Sequence, residues 1–426
     1  MNWQRGRIFA LKSWTTIVGI LSLLTLVVHG VSELELTVEP QDTVVVPGNA
    51  AIFNCAAASS IPGVTPTIRW REDGQFLSSI GDQYRSQLSN GSLYITTMFP
   101  EQQGLKGDYQ CVATLDSVGS IVSRTARLRI ASLPQLQQPA DQRVFPGQTA
   151  YFSCWVNAIP QATITWLKDE RPLHLDETRM LVLPSGALEI DEVRASDQGS
   201  YRCNASSLDQ HRLSIAVTLS INMNLAGANI MPPVFVATPR SSVVIEGSTV
   251  TLDCAANGNP RPWLTWLKDG ITIDMAELGS RFHKVGTGSL QISEVMEQDQ
   301  GTYQCRAENR DDSVDATATL EVHVPPRFLK HPSDRFALEK EDVEFECAVY
   351  GKPEPQVQWV KNGDIISQND YLQVVNGYNL RILGLMEMDA GIFQCVGSNE
   401  AGNIQAAARL TIVQPGEKII LSKRIR

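Results

Sequence analysis

Cysteine spacing divides this chain of 426 residues into four similar parts. The eight cysteines form four pairs of almost equal spacing, with a tryptophan inside each pair and a tyrosine or phenylalanine two positions before each second cysteine. The cysteine pairs are Cys55 and Cys111, Cys154 and Cys203, Cys254 and Cys305, and Cys347 and Cys395. The tryptophans are Trp70, Trp166, Trp266 and Trp359, and the aromatic residues before the second cysteines are Tyr109, Tyr201, Tyr303 and Phe393. The fourfold pattern indicates four copies of one structural unit.

The repeated pattern is typical of an immunoglobulin β-sandwich. In that fold a disulfide joins strands B and F of two facing sheets, the tryptophan of strand C packs against the disulfide, and a tyrosine closes a corner near the start of strand F. The sequence therefore predicts an all-β chain of four tandem immunoglobulin-like domains of the I-set type. We predict four disulfides between consecutive cysteines and no free thiol.

The repeats also predict the domain boundaries. Domain 1 is predicted at 33–131, domain 2 at 132–222, domain 3 at 232–323 and domain 4 at 324–413, followed by a tail at 414–426. The joints between domains 1 and 2 and between domains 3 and 4 are short. Between domains 2 and 3 lies a linker at 223–231, whose small and polar residues can span up to ~30 Å when extended. This linker predicts that the first pair of domains folds back on the second pair as a horseshoe; a hinge without docking is the alternative.

The first 32 residues are predicted to be a secretory signal. Three basic residues, Arg5, Arg7 and Lys12, precede an apolar core at 14–28. This core is shorter than the ~20 residues that a membrane helix needs, although an uncleaved signal anchor is an alternative. Secretion would place the cysteines in an oxidising compartment, where disulfides form. The rest of the chain has 33 basic and 46 acidic residues, a net charge of −13 that argues against a nucleic-acid partner.

The sequence after the predicted signal contains no long apolar run and no lipid-anchor signal. We therefore expect an extracellular protein that is secreted if the sequence is complete. The alternative is that the sequence belongs to a longer receptor of the plasma membrane.

Residue types that carry out catalysis or bind metals are not arranged for those tasks. Of the six histidines, five follow the predicted signal, and their spacing is unlike that of metal ligands. They are His174, His211, His283, His323 and His331. The sequence contains no phosphate-binding loop and no GxSxG motif, and the predicted disulfides leave no thiol nucleophile. It predicts a protein that is not an enzyme and that needs no cofactor or metal.

Two tryptophans fall outside the repeated pattern and are candidate partner-binding residues. Trp155 directly follows Cys154, and Trp263 lies on the predicted strand C of domain 3. Because alternate strand residues point to opposite faces, both side chains should point away from the core. Outward aromatic side chains often mark contact surfaces, although neighbouring long side chains could cover them instead. We predict Trp263 as an anchor for a partner and Trp155 as a contact within the chain.

Other outward residues predict glycan contacts. The sequons Asn90-Gly-Ser92 and Asn204-Ala-Ser206 predict N-glycosylation at Asn90 and Asn204. Arg127 and Arg129 alternate with apolar residues on the last predicted strand of domain 1. This basic pair could contact heparan sulfate, whereas a solvated strand face is the simpler interpretation.

Longer strings of residues resemble those of one receptor family. Val324-Pro-Pro-Arg-Phe-Leu-Lys-His-Pro-Ser333 and Trp359-Val-Lys-Asn-Gly-Asp364 are similar to the fourth immunoglobulin domain of the DCC, neogenin and Frazzled netrin receptors. Gln87-Leu-Ser-Asn-Gly-Ser-Leu93 resembles their first domain, and Leu183-Pro-Ser-Gly-Ala-Leu188 their second. The resemblance covers nearly all of the chain after the predicted signal.

The resemblance implies a neuronal receptor that acts in axon guidance and cell adhesion through netrin. In this family four N-terminal immunoglobulin domains form a horseshoe and precede six fibronectin type III domains, a membrane helix and a signalling tail. The main netrin-binding surfaces of the family lie in the fibronectin domains, which this sequence does not contain, so no netrin-binding residue can be assigned here. The partner would be an extracellular protein ligand of the netrin class or a second copy of the chain. A secreted or homophilic adhesion or decoy protein is the alternative function.

Overall fold

The computed structural model describes residues 33–77, 84–96, 107–116, 118–223, 230–274 and 279–413. The predicted signal at 1–32, the tail at 414–426 and residues 224–229 of the predicted linker lie outside the described residues. Where the structure describes the chain, it is built from β-strands and short 3-10 turns. The all-β prediction is therefore confirmed.

Domain 1 is a sandwich of two facing sheets. Its strands are β1 (Leu34–Val38), β2 (Thr43–Val45), β3 (Ala51–Phe53), β4 (Ala56–Ser59), β5 (Thr67–Glu72), β6 (Gln75–Phe76), β7 (Arg85–Gln87), β8 (Leu93–Ile95), β9 (Asp108–Leu115), β10 (Gly119–Val122) and β11 (Ala126–Ile130). One sheet has the order β2-β11-β9-β5-β6, with β10 also paired to β9, and contains strands C, F and G of the immunoglobulin fold. The other has the order β3-β8-β7 and contains strands B and E. We call them the C–F–G sheet and the B–E sheet.

Domain 2 repeats this arrangement. Its strands are β12 (Gln142–Val144), β13 (Ala150–Phe152), β14 (Thr163–Lys168), β15 (Arg171–Pro172), β16 (Met180–Val182), β17 (Leu188–Ile190), β18 (Gly199–Ser207), β19 (Gln210–Leu213) and β20 (Val217–Ile221). The C–F–G sheet has the order β12-β20-β18-β14-β15, with β19 also on β18, and the B–E sheet has the order β13-β17-β16. The Thr163-Ile164-Thr165-Trp166 segment alternates as its sequence predicts: both threonines are exposed and Trp166 is buried.

Domains 3 and 4 share one strand. Domain 3 contains β21 (Met231–Ala237), β22 (Ser242–Ile245), β23 (Val250–Leu252), β24 (Ala255–Asn259), β25 (Trp263–Lys268), β26 (Ile271–Thr272), β27 (Phe282–Val285), β28 (Ser289–Ile292), β29 (Gly301–Glu308) and the first half of β30 (Ser313–Lys330). Domain 4 contains the second half of β30 and β31 (Arg335–Leu338), β32 (Val343–Phe345), β33 (Ala348–Lys352), β34 (Gln356–Lys361), β35 (Asp364–Ile365), β36 (Leu372–Val375), β37 (Asn379–Ile382), β38 (Gly391–Asn399) and β39 (Gly402–Val413). The described 3-10 turns are Ala195–Asp197, Gly279–Arg281, Glu297–Asp299 and Glu387–Asp389.

The 18-residue strand β30 makes the joint between domains 3 and 4 continuous. It pairs with β29 and β22 of domain 3 and then with β33 of domain 4. Polar contacts reinforce the joint: the Tyr350 hydroxyl donates to Glu297 at 2.6 Å, and the Lys352 ammonium lies 2.6 Å from the same carboxylate. The predicted boundary between 323 and 324 falls within this strand.

Each core is organised around one disulfide. Cys55 is bonded to Cys111, Cys154 to Cys203, Cys254 to Cys305 and Cys347 to Cys395, which is the consecutive pairing that the spacing predicts. In every domain the indole nitrogen of the buried strand C tryptophan donates to a backbone carbonyl at 2.7–3.0 Å. These bonds satisfy the one polar group of each indole inside an apolar core.

The corner before strand F differs among the domains. The hydroxyls of Tyr201 and Tyr303 donate to the backbone carbonyls of Asp197 and Asp299, at 2.7 and 2.8 Å. In domain 1 the Tyr109 hydroxyl instead donates to the Glu72 carboxylate at 2.6 Å. Phe393 of domain 4 has no hydroxyl, so its corner lacks this bond.

Candidate binding surfaces and interdomain contacts

Domain 1 contacts domain 4 through its C–F–G sheet, which faces the C–F–G sheet of domain 4, of order β31-β39-β38-β34-β35. Gln394, which is 2% exposed on β38, accepts a hydrogen bond from the Val122 backbone nitrogen at 2.8 Å and donates to the Val122 carbonyl at 2.9 Å. Asn403 of β39 forms the same reciprocal pair with the backbone of Thr125, with both distances 3.1 Å. The two amide side chains thus satisfy backbone groups at the edge of domain 1 as a neighbouring strand would.

Apolar side chains from both sheets complete this contact. Val112 and Val122 of domain 1 pack against Val360 and Val396 of domain 4. A second cluster buries Ile392 of domain 4 among Leu34, Ala113, Leu115, Val118 and Ile121. Burial of apolar surface stabilises the contact by about 25 cal/mol for each Å² removed from water.

Arg71 brings a buried positive charge into the contact. Its side chain is buried and donates to the carbonyl of Gly363, and its guanidinium also lies 3.2 Å from the Asp364 carboxylate. The guanidinium stacks on the Phe76 ring, 4.1 Å from the ring centre.

The close approach of domains 1 and 4 favours glycine at position 119. A Cβ on Gly119 would lie 2.3 Å from Oδ1 of Asn362 in domain 4.

Domain 2 contacts domain 3 through its B–E sheet, which faces β24 and the corresponding sheet of domain 3, of order β23-β28-β27. The Asn257 side chain accepts from the Thr149 backbone nitrogen and donates to the Thr149 carbonyl, both at 2.8 Å. The Tyr151 hydroxyl donates to Oδ2 of Asp253 at 2.6 Å. With contacts between domains 1 and 4 and between domains 2 and 3, the chain folds back on itself, so the horseshoe prediction is confirmed.

Trp155 lies at the contact between domains 2 and 3. Its side chain is 45% exposed, and the Arg240 guanidinium of domain 3 lies 5.5 Å from the ring centre. Trp155, Tyr151, Arg240 and Asp253 line a cleft of about 490 Å³ between the two domains. Trp155 is therefore a contact within the chain.

Trp263 is far more accessible than Trp155. It is 78% exposed at the start of β25. Together with Arg261 and Lys284 it borders a smaller cavity of about 270 Å³. An aromatic ring with this exposure has most of its surface free to bury against a partner.

The predicted glycan contacts lie at the surface. Asn90 is exposed, and its Oδ1 accepts from the Ser92 backbone nitrogen at 3.0 Å. Asn204 is half-buried on β18, opposite Leu213 of β19. Arg129 is exposed, but Arg127 forms an ion pair with Asp108 at 3.2 Å, which weakens the basic pair. Glycosylation and heparan sulfate binding stay predictions.

Models of known families match all four domains. The immunoglobulin domain model matches residues 35–114, 134–207 and 232–309, and the immunoglobulin I-set domain model matches residues 326–412. The chain belongs to the immunoglobulin domain family. The described residues of this immunoglobulin protein contain no helix long and apolar enough to span a membrane.

Curated relatives are similar to the chain over most of its length. Neogenin of Rattus norvegicus is 40% identical over 384 residues, which cover 89% of this chain and 27% of neogenin. The netrin receptor DCC of Homo sapiens is 39% identical over 383 residues, which cover 88% of this chain and 26% of DCC. The resemblance to DCC and neogenin is therefore confirmed, and the immunoglobulin chain spans about a quarter of the length of these relatives.

A solved structure has a similar arrangement of domains. The N-terminal four immunoglobulin domains of Dscam1 isoform 7.44 superpose with a TM-score of 0.72 and 24% identity, over 89% of this chain and 99% of that chain. At this identity the likeness concerns the fold alone. DCC is named as a netrin receptor, and the matched immunoglobulin domain families are not families of enzymes.

Sequence reasoning missed the polar residues that join the domains. Gln394, Asn403 and Asn257 are ordinary outward strand residues in the sequence, and nothing in their spacing marks them as contacts. Sequence reasoning also missed Glu189, which is 2% exposed in the structure. The only signal in the sequence was the position of Glu189 between two apolar residues, Leu188 and Ile190, on one short strand. Both apolar residues belong to the core.

Proposed function

We propose that the chain is the extracellular recognition head of a netrin-receptor-like cell-surface protein that acts in axon guidance and cell adhesion. The observation that carries this proposal is the 39–40% identity with DCC and neogenin, which extends over all four domains. The closed horseshoe supports it, because four domains held in one arrangement present their remaining faces to a partner as a single surface. The partner is an extracellular protein, either a guidance cue of the netrin class or a second copy of the head.

Transcripts of the same locus test the receptor function. Fibronectin type III domains and a membrane span encoded downstream of Gln414 would support it. The alternative, a secreted or homophilic adhesion or decoy protein, predicts a stop codon near the end of this sequence in every transcript. Sedimentation of the purified head would then be expected to show concentration-dependent self-association.

Trp263 is the residue that we propose as an anchor for the partner. Replacing Trp263 by alanine is expected to leave folding and secretion near normal, because the side chain is 78% exposed. It should weaken binding at least tenfold, since truncation of an aromatic anchor costs about 2 kcal/mol or more. Surface plasmon resonance against the partner, or sedimentation if the partner is a second copy, measures the loss.

Ile271→Ala is the matched control for Trp263→Ala. Ile271 is 75% exposed on β26, where it pairs with Lys268 at the opposite end of β25 from Trp263. The Ile271→Ala substitution removes exposed apolar surface and leaves Trp263 in place. Equal binding by Trp263→Ala and Ile271→Ala would show that Trp263 is not an anchor.

A further inference from the structure

The contact between domains 2 and 3 encloses a carboxylate that is not neutralised. Glu189 projects from β17 of domain 2 and is covered by the turn of domain 3 between β27 and β28. The Thr287 backbone nitrogen donates to Oε1 of Glu189 at 2.6 Å. Oε2 is buried and has no hydrogen-bond partner. A Cβ on Gly286, whose φ is +60°, would lie 2.6 Å from Oε1, so the turn presses directly on the carboxylate.

The charges around Glu189 do not compensate for its burial. Asp191 directly follows β17, the strand that carries Glu189, and its carboxylate is paired with Arg261 of domain 3 at 2.8 Å. On the facing sheet, Asp253 accepts from Tyr151 and faces Arg240, while its Oδ1 is buried without a partner. Lys284 of β27 is the other cation nearby. Among the described residues, no cation lies within ion-pair distance of Glu189.

A carboxylate in such a place favours its neutral form. Taking an ionised carboxylate out of water without a partner costs several kcal/mol, so the group binds a proton instead. Burial raises the pKa of Glu189 to about 7 from an ordinary 4.5. Hydrogen bonding from Thr287 opposes this rise, and the negative charges of Asp191 and Asp253 add to it. Burial raises the pKa of Asp253 as well. If the domains separated, both side chains would regain water and their ordinary pKa values.

We propose that the contact between domains 2 and 3 is an acid-stabilised clasp, which closes over Glu189 when this side chain is protonated and loosens when it ionises. The docked form binds the extra proton, so docking is strongest in acid. The docking equilibrium constant falls by up to about tenfold for each pH unit between the open-state pKa of about 4.5 and the docked pKa of about 7. Burial lowers the pKa of Lys284 from an ordinary 10.5. This effect has the opposite sign, because it weakens docking as the pH falls from 10.5 through the lowered pKa. The contact between domains 1 and 4 combines the amides Gln394 and Asn403, which do not titrate, with the ion pairs Arg71–Asp364 and Arg409–Glu33.

Glu189→Gln separates the clasp from other sources of pH dependence. Glutamine has the shape of the protonated side chain and cannot ionise. The measured quantity is the hydrogen-exchange rate of the Thr287 backbone amide in the whole chain. The rate of the wild type is divided by that of Glu189→Gln at the same pH, so that the intrinsic pH dependence of exchange cancels. The ratio should be near one at pH 4, below the open-state pKa of about 4.5. At pH 8 the wild type should exchange more than about tenfold faster, because its clasp opens more often.

Glu177→Gln is the control, since it removes the same charge from an exposed position of domain 2. It should exchange like the wild type at both pH values. The clasp would be refuted if the wild type at pH 8 were protected as well as Glu189→Gln, or if Glu177→Gln had the same effect as Glu189→Gln.

Discussion

Replacing Cys254 by alanine is expected to lower the free energy of unfolding of domain 3 by about 2–5 kcal/mol and to reduce secretion sharply. The bond from Cys254 to Cys305 spans 51 residues of sequence, and both cysteines are fully buried beside Trp266. Its loss enlarges the unfolded ensemble and leaves a free thiol in the core. Urea unfolding of purified protein and the yield in culture medium measure the two effects.

A substitution on the same domain that spares the disulfide provides the comparison. Thr272→Ala, exposed on β26, should change neither the unfolding midpoint nor the yield. If Cys254→Ala secreted and unfolded like Thr272→Ala, the disulfide would not be needed for the stability of domain 3.

Gln394→Glu is expected to release domain 1 from domain 4. The carboxylate keeps the shape of the amide but cannot donate, so it would face the carbonyl of Val122 and the side-chain oxygen of Gln405 in a buried place. The Val122 backbone nitrogen would remain the donor to one carboxylate oxygen, but a buried charge without a countercharge costs about 3–5 kcal/mol. This is large for a contact between two domains. Small-angle X-ray scattering should show a greater maximum dimension than that of the wild type.

Gln358→Glu is the control for this opening. Gln358 lies on β34 of the same sheet, and its side chain is exposed. The same new charge there should leave the scattering curve unchanged. A compact Gln394→Glu protein would show that the apolar clusters hold domains 1 and 4 together without the Gln394 amide.

The sequence predicted the features of the structure that are set within one domain. Each disulfide, tryptophan and strand F aromatic residue depends on neighbours inside its own sandwich, so spacing along the chain is enough to place it. Even the exception at Phe393 could be predicted, because the missing hydroxyl is a property of the residue itself. Repetition strengthened the prediction, since four copies of the pattern agree.

Contacts between domains could be predicted only in outline. The linker indicated that the chain can fold back, but not which faces would meet. Gln394 and Gln358 both point outward from the C–F–G sheet of domain 4, yet one is buried against domain 1 and the other is exposed. Trp155 and Trp263 are likewise both predicted to point outward, yet Trp155 contacts domain 3 and Trp263 is exposed. What distinguishes them is the arrangement of the domains, which depends on many weak contacts distant in sequence.

Mechanical load is transmitted differently through the two joints that flank domain 3. Strand β30 is the last strand of domain 3 and the first of domain 4, and it is hydrogen-bonded in both. A pull along this strand therefore strains rows of backbone hydrogen bonds in shear, so that many must break together. A pull on the contact between domains 2 and 3 is instead resisted by side chains such as Asn257 and Tyr151, whose hydrogen bonds can break in succession. Under tension the contact between domains 2 and 3 should therefore open first, while domains 3 and 4 move together as a rigid pair.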